Sequence, residues 1–188
     1  MTVITTTAIE ERIPFEDVVP GTNAGASPRG STYWRRVQSC PREHLLSNLM
    51  QWEPIPRAPA LDFGLLWHRC LEAYYRTVWA EQLGQRPPVV PERAAFEAFQ
   101  PFRNAQGWGD FYELCGRMLD SYFMRWRNAD RHWQIVGVES MIELPLALQQ
   151  QLGFPYTSRL DMFVIDHSAV IPIGRHVEDK SAWRLESN

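Results

Sequence analysis

From Tyr156 the chain reads YTSRLDMFVIDHSAVIPIGRHVEDK, ending at Lys180. β-Branched and apolar residues alternate with polar ones through Asp166 and again from Val170, the two-residue period of extended strands. Between these runs Asp166-His167-Ser168 is turn chemistry, because an aspartate side chain accepts a hydrogen bond from the backbone a little further on. The stretch predicts two strands, Tyr156–Asp166 and Val170–Lys180. A third run of similar character, Ile135 to Leu146, precedes them. The last third of the chain is therefore expected to be a small meander sheet.

Upstream of Trp133 the period is helical. Ser31 to Gln51 carries Tyr33, Val37, Leu45, Leu46 and Leu49 at roughly one-turn spacing, broken at Cys40-Pro41, so two short helices are expected. Pro54, Pro56 and Pro59 end that segment. Leu61 to Leu83 follows, with Leu65, His68, Leu71, Glu72 and Tyr75 repeating every turn. Gln85–Pro91 reads as a connector. Glu92–Phe99 and Trp108–Ala129 complete the helical part, the latter with Phe111, Leu114, Cys115, Met118, Leu119, Tyr122 and Trp126 as its apolar stripe. Helices followed by strands predict an α+β (mixed α/β) fold, its helical first two thirds packed on a small sheet. Residues 1–30 are Thr-rich, then Glu-rich, then turn-rich, and read as a flexible leading arm.

The whole chain has 188 residues, 19 Lys+Arg against 22 Asp+Glu, and 45% hydrophobic residues. That is enough to bury the core of one domain, which excludes wholesale disorder. A net charge of −3 argues against coating nucleic acid by bulk charge, though not against a local basic groove. No apolar run reaches the roughly 18 residues of a membrane span, and Met1–Glu10 lacks a signal-peptide core. An intracellular, cytoplasmic protein with no membrane partner is expected. Cys40, Cys70 and Cys115 form no C-x-x-C pair and are expected to be reduced thiols.

Chemistry concentrates in the sheet. Along the last predicted strand, Glu178 and Lys180 project to one face while Asp179 points away. An antiparallel hairpin through Asp166–Ser168 brings Asp161 toward Glu178. Two carboxylates about 4 Å apart repel by roughly 4 kcal/mol at an effective dielectric of 20, and a divalent cation offsets that. Oxygen ligands of this kind suit Mg²⁺ or Mn²⁺. A lysine alongside can orient an attacking water.

These residues fall into an ordered set. Ser31-Thr32-Tyr33 with Ser39-Cys40-Pro41-Arg42 comes first. Then come Gly64-Leu65-Leu66-Trp67-His68 with Leu71-Glu72-Ala73-Tyr74-Tyr75, Ser158-Arg159-Leu160-Asp161, and Glu178-Asp179-Lys180-Ser181. The set resembles the PD-(D/E)xK nucleases, in particular the RecB-like branch of helicase-associated, CRISPR-associated and phage exonucleases. The resemblance covers the chain from Ser31 onward, so residues 31–188 are expected to be one nuclease-like domain of restriction-endonuclease-like type. It implies that His68, Asp161 and Glu178 bind the metal, that Asp161, Glu178 and Lys180 are catalytic, and that DNA is the partner. Glu139 is a further acidic candidate on the first strand. Glu143 would share its face, and alternation alone leaves that choice open.

The set also departs from the family pattern. Ser158 stands where a glycine is common, and the sequence shown stops eight residues after Lys180, before the Gln-x-x-x-Tyr motif. The expectation is a domain truncated after its catalytic lysine, its sheet completed by a missing segment or a second chain. The three cysteines that cluster-bearing relatives carry beyond the lysine are missing, so no iron–sulfur cluster is expected. The expected function is a metal-dependent DNA nuclease, an exonuclease by resemblance, in recombination, repair or phage DNA processing. The alternative is a noncatalytic nuclease-like scaffold that binds DNA or a protein. Arg35, Arg36 and Arg42, beside Tyr33, read either as a DNA-contacting edge or as a solvated helix face.

Overall fold

A computed structural model describes residues 29, 31–50, 52, 59–126 and 129–177. Among them the helices are α1 (Ser31–Ser39), α2 (Pro41–His44), α3 (Pro59–Gln82), α4 (Pro91–Phe99), α5 (Gly109–Trp126) and α6 (Leu146–Leu152). The strands are β1 (Trp133–Glu143), β2 (Thr157–Asp166) and β3 (Ile173–Val177), paired antiparallel in the order β1-β2-β3. The fold is mixed α+β with a meander sheet, as the change of period implied. Of the expected leading arm, Arg29 alone is described; Glu178, Lys180 and the expected truncation fall outside the described residues.

Local chemistry explains most element boundaries. Cys40 adopts an extended conformation and its Sγ accepts a hydrogen bond from Glu43 N–H at 3.4 Å, capping α2 with Pro41 in its first turn. Pro91, expected in the connector, opens α4 instead, where its missing N–H leaves no helical bond unmade. The first strand, expected to reach Leu146, stops at Glu143, and Leu146–Leu152 is a helix. Gly153 closes that helix at φ 77, a left-handed conformation that glycine adopts without side-chain strain, and its N–H bonds to Gln149 O. β3 starts at Ile173 rather than Val170, since Pro172 has no N–H to give a ladder.

The core lies between α3, α4, α5 and the sheet. Phe63, Leu66, Trp67, Cys70, Leu71 and Tyr74 line one side of α3, against Ala95 and Phe99 of α4 and Cys115, Leu119 and Phe123 of α5. Ile135, Val138, Met162 and Val164 supply the sheet's share. The expected α5 stripe is thus corrected at its end. Phe123 is buried and stacks 5.0 Å from Tyr74, whereas Trp126 is 41% exposed. The row at four-residue spacing slants across a helix, and α5 buries that row, Cys115-Leu119-Phe123, against α3.

Two devices tie the sheet down. Gln82, at the end of α3, donates to Trp133 O at 2.8 Å and accepts from Ile135 N–H at 2.9 Å, fastening β1 to the helix that carries His68. At the β2–β3 turn Asp166 accepts from Ser168 N–H at 2.8 Å and pairs with Arg175 Nε at 3.0 Å. Those Ser168 hydrogen bonds, with Arg175 and His132 adding to them, hold the Asp166 carboxyl below its usual range. A depressed carboxyl stabilises the fold above its unfolded-state pKa, and that contribution is lost as pH falls through the folded value. Asp166→Asn should therefore lower the urea midpoint at neutral pH and narrow the gap to wild type below about pH 4. An unchanged gap at both pH values would remove Asp166 from the account of the turn.

Candidate metal centre

Three side chains converge where α3 meets the sheet. His68 Nδ1 lies 3.5 Å from Asp161 Oδ2. With a Glu139 carboxylate oxygen, they offer three ligand atoms within 4.8 Å of one another. The elements place them for separable reasons. His68 sits in the third turn of α3, a turn after Gly64. Asp161 lies mid-strand in β2. Glu139 stands between Val138, paired with Met162, and Ser140, paired with Leu160, which sets it opposite Asp161.

Glu139 reaches that position through distorted backbone. β1 carries an extra residue, Val136, between the pairs Ile135↔Val164 and Gly137↔Phe163. Glu139 itself has φ 48. A non-glycine residue in the left-handed region costs on the order of 1–3 kcal/mol, and such strain gathers at functional sites. At Gly137 an added Cβ would stand 2.5 Å from Ser140 Oγ, so this distorted part of β1 closes tightly around a residue without a side chain.

The electrostatics of the cluster favour a cation. Burial pushes the Glu139 carboxyl above its usual range, and Asp161 and Glu72 add repulsion, against the lowering effect of Arg159. Arg159 Nε donates to Glu139 Oε2. Glu72 lies one turn beyond His68 on the same face of α3 and pairs with Arg76 at 2.8 Å. Neither Glu72 nor Arg159 was assigned to the site from sequence, although the four-residue spacing from His68 to Glu72 carries the first.

Glu139 and Glu143 stand in different surroundings. Glu143 is exposed and accepts from Gln149 Nε2 at 3.2 Å, while the Glu139 side chain is 10% exposed within the cluster. Arg175 pairs with Asp166 at the β2–β3 turn. Of the expected DNA-contacting edge, Arg36 is bound to Glu43 at 3.2 Å and donates to Asn48 Oδ1. Tyr33 is packed edge-on against Trp34 and His44, and Arg35 and Arg42 are exposed. Glu178 and Lys180 lie outside the described residues, but β3 is described up to Val177, which pairs with Met162, the neighbour of Asp161.

The family model for the PD-(D/E)XK nuclease superfamily matches residues 32–169. The chain belongs to that superfamily. No curated protein matches it, and no solved structure does. The match spans His68, Glu139 and Asp161 and ends before Glu178 and Lys180. PD-(D/E)XK nucleases generally use divalent metals. The cluster fits one: two carboxylates and an imidazole converge, and one of the carboxyls is destabilised as an anion by its surroundings. Among the described residues, no helix is long and apolar enough to cross a membrane.

Proposed function

We propose that the chain is a divalent-metal-dependent deoxyribonuclease of the RecB-like branch, acting on DNA ends in recombination, repair or phage DNA processing. The observation that carries this reading is the convergence of His68, Glu139 and Asp161 in a PD-(D/E)XK chain. His68, Asp161 and Glu178 hold Mg²⁺ or Mn²⁺, with Glu139 as the additional acidic group. The β2–β3 ladder supports the place of Glu178, since one residue beyond the pair Met162↔Val177 is the step from Met162 to Asp161. An extended continuation of the chain would put Lys180 on the same face as Glu178.

When bound there, the ion supplies positive charge that polarises a phosphoryl oxygen and balances charge developing in in-line displacement. Asp161 would hold it from the middle of β2, between Leu160 and Met162, whose pairs with Ser140 and Val138 fix the strand. His68 approaches from a helix and shares its Nδ1 side with Asp161. Lys180 orients the attacking water by donating a hydrogen bond to it.

Metal binding is separable from cleavage. A ligand that binds only the folded state stabilises it by about 2.7 kcal/mol at a hundred times its dissociation constant. Mn²⁺ is therefore expected to raise the melting temperature of the wild type, and His68→Ala to reduce that rise. Equal melting temperatures with Mn²⁺ and with chelator would contradict the ligand assignment.

A further inference from the structure

The metal centre explains where a strand is cut but not what holds the strand beside it. Between Trp67 of α3 and the outer face of α5 lies a cavity of about 440 Å³, lined by Arg117, Ser121, Tyr122, Arg125 and Trp126 among others. Arg117, Ser121 and Arg125 are spaced four residues apart and share one face of α5. At 1.5 Å per residue, the two arginines are about 12 Å apart along the axis, the rise of three to four stacked nucleotides. Among the described residues, no acidic side chain lines the cavity.

What marks this face is two arginines on one side of a helix beside an exposed indole. Arg36, Arg76, Arg93, Arg159 and Arg175 each have a carboxylate partner. Among the described residues, neither Arg117 nor Arg125 has one. The Arg125 guanidinium instead lies 5.3 Å from the centre of the Trp126 ring. That indole is 41% exposed, and Trp67 is braced edge-on against Tyr122 at 5.8 Å. Paired arginines are already neutralised locally, whereas these two offer free guanidinium donors next to an open aromatic surface. Trp67 immediately precedes His68, so the groove's inner wall and the metal centre belong to the same turn of α3.

We propose that this groove binds single-stranded DNA, with Arg117 and Arg125 on phosphates three to four nucleotides apart and an unpaired base stacked on Trp126. The assignment deepens the nuclease reading and rests on it for the path of the strand toward His68 and Asp161. Free guanidinium groups supply phosphate contacts, and an exposed indole takes an unstacked base that a duplex does not present.

The test is the anisotropy of a fluorescein-labelled oligothymidylate, titrated with the full chain in chelator so that nothing is cut. Arg117→Glu with Arg125→Glu is expected to weaken binding at least about 10-fold and to flatten the salt dependence. Trp126→Ala is expected to weaken it by roughly 10-fold. Arg93→Glu, a single reversal at an exposed residue of α4, should leave the affinity within about twofold. These arginines are exposed, so the variants should keep the wild-type melting temperature. Equal weakening by Arg93→Glu, unchanged affinity in the double variant, or equally strong competition by duplex DNA would each overturn the groove. Binding without cleavage under metal would leave the groove standing and remove the nuclease reading, whereas cleavage with unaltered affinity in the double variant would do the reverse.

Discussion

Asp161→Asn is expected to lower metal-dependent DNA cleavage by at least about 10³-fold, corresponding to the loss of several kcal/mol of transition-state charge stabilisation. Asparagine keeps the shape of the side chain and removes its charge. The folded protein should tolerate the change, because Asp161 is one of the groups whose repulsion raises the Glu139 carboxyl. The metal-free variant is therefore expected to melt at or above the wild-type temperature while losing most of its stabilisation by Mn²⁺. That combination separates a ligand from a structural carboxylate, whose removal would lower stability with metal and without it. Cleavage within about tenfold of wild type would remove Asp161 from the centre of the mechanism.

Trp108→Ala is expected to have the largest effect on stability. Trp108 is fully buried, with its ring 4.6 Å from Phe102 and 5.7 Å from Phe111. It holds the turn between α4 and α5 against the core. Truncating a buried tryptophan costs about 3–5 kcal/mol through lost transfer energy and the remaining cavity. For a chain of this size, that is a fall of roughly 6–20 °C in melting temperature. Met124→Ala, at a side chain 87% exposed on α5, should stay within about 0.5 kcal/mol of wild type. A loss below about 1 kcal/mol at Trp108 would mean that this part of the core repacks around the gap.

The sheet was legible because two-residue alternation survives in a meander with one buried side, and Asp166-His167-Ser168 marks its turn. The last helix of the described chain was equally open to reading. Pro145 and Gly153 bracket Leu146–Leu152, which contains only Leu, Ala and Gln, all good helix formers. β1 stops short of Leu146 because Pro145 has no N–H to give a ladder and stands at the start of that helix. His68 and Asp161 could be singled out because ordered motifs carry them. What brings Glu139 to them could not be. An extra residue at Val136 and a positive φ at Glu139 break the alternation by which Glu139 and Glu143 were equivalent. The ion pair with Arg159 is likewise a product of the register, since the two lie 20 residues apart. The α5 groove was hidden for a simpler reason: Arg117 and Arg125 look like any solvated face until the cavity and the exposed Trp126 ring beside them are visible in three dimensions.

The most direct measurement is incubation of the purified chain with end-labelled single-stranded and linear duplex DNA in Mn²⁺, in Mg²⁺ and in chelator, beside Lys180→Ala. Cleavage that requires metal, shortens the labelled DNA from its ends and disappears in the lysine variant is the predicted result. A folded chain that binds Mn²⁺ yet leaves both DNAs intact, or that cuts them equally well in chelator or without Lys180, would contradict the account.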